Sequence, residues 1–198
     1  MRTDESDMEV RPWRRSDLAL LRAAASSFSP RTLSARFMIG TTSLPTAYLD
    51  RLLGAGRDGL PWLGEVALSG GELIGIAECA WEPGHPVEFA LLVADAWHRH
   101  GVGARLTGSL LKRCVQAGIT DLWAQSDLGN TAAVRLARST RWRSTPVGDW
   151  AVSTSLREGV RWYTATFAFP GRSAAAPTSN GPSGCLIESA GGAVNLSS

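Results

Sequence analysis

Apolar positions along this chain alternate between two spacings, and the switches divide residues 8–169 into strands and helices. Period two marks a half-buried strand, and recurrence at three and four marks one face of a helix. "MEVRPW" predicts a first strand, Met8–Trp13. Ser16 or Asp17 then caps a helix whose Leu18, Leu21 and Ala25 recur at helical spacing. Pro30 opens a second helix starting at Ser29, with Leu33 and Phe37 four apart, and "LPTAYLDRLL" is a third. After the loop "GAGRDGLP", two strand-like runs flank Gly70-Gly71, a hairpin signal because primed turns need positive φ. The loop "EPGHP" leads to a strand at Val87–Val93. A helix follows over Gly101–Ala117, closed by Gly118. "ITDLWAQS" predicts another strand, and a helix begins near Asn130. "DWAVSTSL" and "VRWYTATFAF" alternate as an antiparallel closing pair.

From Pro170 the pattern disappears. Residues 170–198 are Gly, Ser, Ala and Pro with almost no charge, a composition expected to stay disordered. Residues 8–169 thus form one expected domain, within the usual size range. Formal net charge is +2, from 20 basic and 18 acidic residues, too balanced to suggest a nucleic-acid or anionic-membrane partner. No apolar run approaches the ~20 residues of a membrane helix. The polar, acidic start does not read as a secretory signal, and three widely spaced cysteines form neither a zinc pattern nor a disulfide framework. A soluble protein of the reducing cytoplasm is expected.

The chemistry concentrates in "HRHGVGARL". Gly101 and Gly103 stand between a strand and a helix whose Val102, Leu106, Leu110 and Cys114 form a buried stripe, with Arg105 and Lys112 on another face. A helix N-terminus behind glycines offers free N–H groups and partial positive charge to an anion. Glycines for a tight turn alone are the plainer explanation. A P-loop is excluded because no G-K-[ST] follows. A dinucleotide fingerprint is excluded because Leu106 stands where a third small residue is needed, although Asp121 lies twenty residues after Gly101.

The remaining pattern, [Q/R]-x-x-G-x-[G/A], resembles the acetyl-coenzyme A loop of the GNAT superfamily of N-acetyltransferases, with His98 where Gln or Arg is usual and Arg99 beside it. "VEFALLVADAWHRHGVGARLTGSLL" resembles the core strand, loop and helix of that family, and "DLGNTAAVRLARSTRW" its following motif. "VRPWRRSDLALLRAAASSFSPRTLSARFM", with Ser29 to Phe37 as S-x-x-[ST]-x-x-x-R-F, is similar to the start of bacterial protein-lysine acetyltransferase domains. The resemblance spans about residues 8–169. It implies an α/β GNAT fold: a mixed, mainly antiparallel sheet, splayed between two central parallel strands, with helices on both faces. It also implies acetyl transfer from acetyl-coenzyme A, bound as cosubstrate without a metal, to a primary amine of a protein lysine or small molecule. Association into a homodimer is left open. Two departures stand out. Ala137 occupies the place of a Tyr that protonates the leaving thiolate in many relatives, and Arg141-Trp142 replaces the usual "GF". A thiol pKa near 8.5 lets the thiolate leave without that donor. These departures sustain one alternative, a catalytically weak member that binds or senses acyl-coenzyme A.

The resemblance places the pyrophosphate on the backbone N–H groups of Arg99, His100, Gly101, Val102, Gly103 and Ala104, with His98 and Asn130 flanking the cofactor. The backbone of Leu91 and Val93 would pair with the pantetheine amides as an added strand. An N–H near Leu92 or Val93 would polarise the thioester oxygen. Period two puts Glu88 on a face with Ala90 and Leu92, where burial raises a carboxyl pKa toward that of a useful base. Glu88 is the first candidate base and Glu78, on the preceding strand, the second. His85, His98 and His100 lack the spacing of a metal site, Cys114 reads as inert core, and the Trp residues as core or groove wall.

Overall fold

The computed structural model describes residues 7–55, 61–82 and 84–168. Most of the loop before Trp62 and the segment 170–198 lie outside the described residues, so the expectation of a disordered tail is not addressed. Strands β1 (Met8–Pro12), β2 (Trp62–Ser69), β3 (Glu72–Ala80), β4 (Val87–Val93), β5 (Asp121–Asp127), β6 (Ser144–Thr145), β7 (Gly148–Arg157) and β8 (Val160–Ala168) form one sheet. Its order is β1-β2-β3-β4-β5-β8-β7-β6. Among the described residues the α-helices are α1 (Asp17–Ala23), α2 (Pro30–Phe37), α3 (Thr46–Gly54), α4 (Val102–Gln116) and α5 (Thr131–Arg138). The two-residue β6, opposite Gly148 and Asp149, was not anticipated, and β1 stops one residue early, at Pro12.

Local chemistry accounts for the boundaries. Gly70 and Gly71 both adopt positive φ, as the β2–β3 turn requires. Ser29 accepts a hydrogen bond from Thr32 N and Pro30 fills the first turn of α2. Ser16 precedes α1 without a side-chain cap bond. Asp17 instead folds back to accept from Arg14 N at 2.7 Å and from the Arg11 guanidinium at 2.7 and 2.8 Å.

Two cores lie on opposite faces of the sheet. On one, Val102, Leu106, Leu110, Leu111 and Cys114 of α4 pack with Ala67, Ala77, Trp142 and Trp150, and Leu136 of α5 joins the edge. The expected stripe of α4 is therefore its buried face. Cys114 lies 3.6 Å from Cys79, Sγ to Sγ, and that contact together with burial pushes the Cys79 thiol up. On the other face Leu18, Leu21, Leu33, Tyr48 and Leu52 from α1–α3 cover Val66, Ile76 and Leu92.

The central feature is β4–β5. It is the sheet's parallel pair, and its register holds at Val87 with Leu122 and Glu88 with Trp123 only. β4 continues for five more residues and β5 for four without pairing to each other. β4 keeps its partner β3 to Val93, opposite Gly75, so the divergence opens one side of β4 alone.

Candidate functional site

The register fixes which backbone groups face that opening. Ala94 N donates to Ile74 O at 2.9 Å, so residues 74 and 94 are a hydrogen-bonded antiparallel pair. With Ile76 opposite Leu92 and Gly75 opposite Val93, alternation puts the Leu92 backbone in the β3 ladder. Phe89, Leu91 and Val93 turn theirs toward the gap. The backbone groups of Leu91 and Val93 therefore face the gap, whereas those of Leu92 face β3. The Val93 carbonyl has a partner already, His98 Nε2 at 2.9 Å. That ring contact gives His98 a role the loop pattern did not reveal.

At the C-terminal end of β4 the chain crosses a short 3₁₀ turn, Asp95–Trp97, and enters α4. The two glycines serve different needs. Gly101, the N-cap, has φ 78°, and a Cβ there would meet nothing within 4 Å, so its requirement is conformational. Gly103 lies in the first turn, where a Cβ would stand 3.2 Å from Leu91 Cδ2, so its requirement is close packing of α4 on β4. Arg99 also has positive φ, 68°. Left-handed residues at 99 and 101 bend the backbone so that successive amides converge, a common anion cradle.

The N–H of His98 donates to Asp95 O and that of His100, one of the expected loop amides, to Trp97 O. Arg105 N makes the first bond of α4, to Gly101 O. The amides of Arg99, Gly101, Val102, Gly103 and Ala104 therefore remain without acceptors among the described residues. A groove of about 490 Å³ runs from this loop along the exposed side of α4, and Arg99, Arg105, Lys112 and Arg141 line it. Arg105 Nη2 is tied to Met8 O, but Arg99, Lys112 and Arg141 have no ion pair among the described residues. Arg141 was not singled out in the sequence because it enters the groove from the far end of α5.

At the other end of the gap the two candidate carboxylates share a sheet face, since Glu78 stands opposite Ala90 and Glu88 opposite Ala80. Their surroundings differ. The Glu78 side chain is 2% exposed and saturated: Arg36 of α2 and Arg51 of α3 (3.1 Å) donate to Oε1, and Trp62 Nε1 donates to Oε2 at 3.0 Å. The Tyr48 ring faces both guanidiniums, at 5.4 and 5.5 Å. Glu88 has no ion pair or hydrogen bond to its carboxylate among the described residues. Burial pushes its pKa up and Glu78 adds to the rise, while Arg36 and Arg51 pull the other way without cancelling it. Beside it, Trp123 of β5 stacks on Trp162 of β8 with ring centroids 5.1 Å apart. The sequence reads Trp123 only as core or groove wall, and does not show this pair. The Arg36 and Arg51 contacts span 42 and 27 residues, so local sequence could not show them.

Asn130 caps α5, accepting from Ala133 N at 3.0 Å, at the end of β5 next to the gap. Ala137 lies on α5 with its side chain on a smaller cavity. His85 is 3.9 Å from Glu82, apart from the other histidines, and among the described residues no group of three His, Cys, Asp or Glu could hold a metal ion. Nor is any helix of the described residues long and apolar enough to cross a membrane.

These features agree with the comparisons to known proteins. The model of the Acetyltransferase (GNAT) family matches residues 30–140, more than half of the chain. The GNAT domain of PAT from S. lividans is 20% identical, with TM-score 0.65, covering 79% of this chain and 89% of that one. The ribosomal-protein-alanine N-acetyltransferase of Brucella melitensis is 19% identical (TM-score 0.56; 80% and 99% covered). PaiA N-acetyltransferase of Thermoplasma acidophilum, solved in complex with coenzyme A, is 14% identical (TM-score 0.54; 80% and 98%). No curated protein matches the chain with significance. The likeness to these solved structures is one of fold, and with the family model matched over residues 30–140 the chain belongs to the GNAT family of acetyl-coenzyme A-dependent acetyltransferases.

Proposed function

We propose that this protein transfers the acetyl group of acetyl-coenzyme A to a primary amine, of a protein lysine or of a small molecule, with Glu88 as the base. The observation that carries the reading is the one-sided opening of β4, bounded by unpaired amides at the head of α4 and by an unpaired, half-buried carboxylate at Glu88. The residues suit the cosubstrate. The amides of Arg99 and Gly101 through Ala104 would hold the pyrophosphate, and Arg99, Lys112 and Arg141 suit the outer phosphate. From there the pantetheine arm would run back along β4, pairing with the Val93 N–H and the open groups of Leu91.

Strand geometry then revises where the thioester falls. At about 3.3 Å per residue, Val93 lies roughly 16 Å from Glu88 along the strand, too far for one carboxylate and one water to serve both. The N–H of Leu91 or Phe89 is near enough, so the thioester oxygen is assigned there rather than to Leu92 or Val93. The amine arrives as an ammonium and must lose a proton before it can attack. A carboxylate whose pKa burial has raised is suited to take that proton, directly or through water. Glu78 is less available to an incoming amine because three donors already hold its buried carboxylate. The thiolate leaves with no Tyr at position 137, and its protonation by solvent is compatible with an ordinary thiol pKa. Membership of an acetyltransferase family favours catalysis over a sensing module.

Coenzyme release measured with a lysine peptide and a panel of amines tests the activity. Glu88→Gln should lower turnover about 10²–10⁴-fold, leave coenzyme affinity nearly unchanged, and flatten the acid limb of the rate profile. Amines of lower pKa should suffer less. Turnover at the wild-type level in Glu88→Gln would reduce Glu88 to a structural role.

A further inference from the structure

On the α4–α5 side of the sheet, α5 leans over β7 and β8 and leaves a cavity of about 170 Å³. Its charge balance is one-sided. Arg138, Arg143 and Arg161 line it together with the hydroxyl-bearing Thr154 and Tyr163, and no Asp or Glu is among the lining residues. None of the three arginines has an ion pair among the described residues. Arg143 spends one Nη on the Ala137 carbonyl in the last turn of α5, yet its Nε is buried without an acceptor. Arg161 Nε is likewise buried and unpartnered, and no hydrogen bond from that guanidinium is made to any described residue. Tyr163 Oη lies 3.3 Å from Ser126 Oγ and so is held at the cavity wall.

Buried guanidinium N–H groups are nearly always bonded, and two that converge on one cavity repel each other unless a negative charge lies between them. A guanidinium offers paired, coplanar donors, which match the two oxygens of a carboxylate or a phosphate edge. We propose that this cavity is a binding site for a small oxyanion, a carboxylate or phosphate group, held by Arg143 and Arg161 and closed toward solvent by the exposed Arg138. The volume admits a group of a few heavy atoms and excludes a nucleotide. It shares no lining residue with the groove at the head of α4, so it is separate from the coenzyme phosphates. Small Ala137 is part of what leaves the space open, and the bound anion joins the C-terminal half of α5 to the β7–β8 hairpin.

The test uses the full chain with saturating coenzyme A, so that the α4 loop is occupied, at constant ionic strength. Inorganic phosphate, acetate, succinate and chloride are titrated in turn by calorimetry, with melting temperature followed in parallel. The expected result is saturable one-to-one binding of phosphate or of a carboxylate, with a matching rise in melting temperature and no such response to chloride. The phosphate and carboxylate arms identify the natural type. Arg161→Gln should weaken binding at least tenfold while coenzyme affinity stays the same. Ala137→Leu, which fills the cavity without removing charge, should do so as well, and it decides the matter if Arg161→Gln does not fold. Equal responses to chloride and to the oxyanions, or full affinity in Ala137→Leu, would overturn the site.

Discussion

Replacing Glu78 by Gln separates a structural carboxylate from a catalytic one. The change keeps the volume and one carbonyl oxygen, so the bond from Trp62 Nε1 can survive. Arg51 is 44% exposed and can turn to water, a loss of at most about 1 kcal/mol. Arg36 cannot. Its side chain is 10% exposed, enclosed by Phe37 and Tyr48, and the substitution leaves it facing an amide. Stranding a buried charge in this way costs about 3–5 kcal/mol. In a domain of about 5–15 kcal/mol total stability the variant should still fold, with a lower midpoint in urea at unchanged slope. Turnover is the second readout. Glu78 helps to raise the Glu88 pKa, while Arg36 and Arg51 act against the rise. Without Glu78 the arginines act unopposed, so the acid limb of the rate profile should move to lower pH while turnover on its plateau stays within about tenfold of wild type. Two results would refute this reasoning: a stability loss under about 1 kcal/mol, or a 10²-fold loss of turnover in folded protein with an unmoved acid limb. The second would make Glu78 the base.

Further outcomes follow from other parts of the fold. Gly103→Val presses side-chain carbon against Leu91, 3.2 Å from the first added atom, and should weaken coenzyme binding at least tenfold, about 1.4 kcal/mol, in calorimetry. Asp17→Asn should cost about 2–3 kcal/mol at pH 7, because Asp17 is buried and accepts from Arg11 and Arg14. Burial alone would raise the Asp17 pKa, but those donors hold it below its ordinary value. Its contribution is therefore present above the unfolded pKa and lost as pH falls through the folded one, so acid titration of stability should be flatter in the variant. Glu88 has the opposite sign. Its folded pKa is raised, so the stability it confers is present below the unfolded value and lost as pH rises through the folded value. Glu88→Gln should melt higher than wild type at pH 8 and alike at pH 4.

Much of the frame was legible because its signals are local. Gly70-Gly71, the α4 stripe and the Ser29-Pro30 helix start each lie within a few residues of the structure they specify. The strand–loop–helix around Gly101 was legible for the same reason, although the packing reason for Gly103 was not, since Leu91 meets it only after α4 folds back on β4. Other features depend on distance in the chain. β8 inserts between β5 and β7, an order no periodicity encodes. Glu88 and Glu78 were first and second candidates, each a carboxylate in an apolar strand, and the contacts that set them apart come from Arg36, Arg51 and Trp62, which are distant in the chain. The backbone phase that removes Leu92 from the gap depends on the register with β3, which side-chain alternation leaves undetermined.

The approach of α2 is itself tied to the turn between β4 and α4. Asp95, in the 3₁₀ turn before α4, accepts from Ser29 N at 2.8 Å and from Thr32 Oγ1 at 2.5 Å, which anchors the first turn of α2 to the end of β4. Two turns later α2 delivers Arg36 to Glu78, opposite Ala90 in the middle of β4. One short helix is thus tied at its head to the segment before Gly101 and at its tail to the ion pairs of Glu78. Glu78 is saturated and Glu88 is left unpaired, so two carboxylates on one sheet face acquire different surroundings, and burial raises the pKa of Glu88. The arginines would serve a base poorly if they paired with it directly, since they would hold it ionised and weaken its hold on a proton. Glu78 occupies them instead. With Glu88 as the proposed base, the buried ion pairs would belong to the catalytic arrangement, though none of their atoms need touch the substrate.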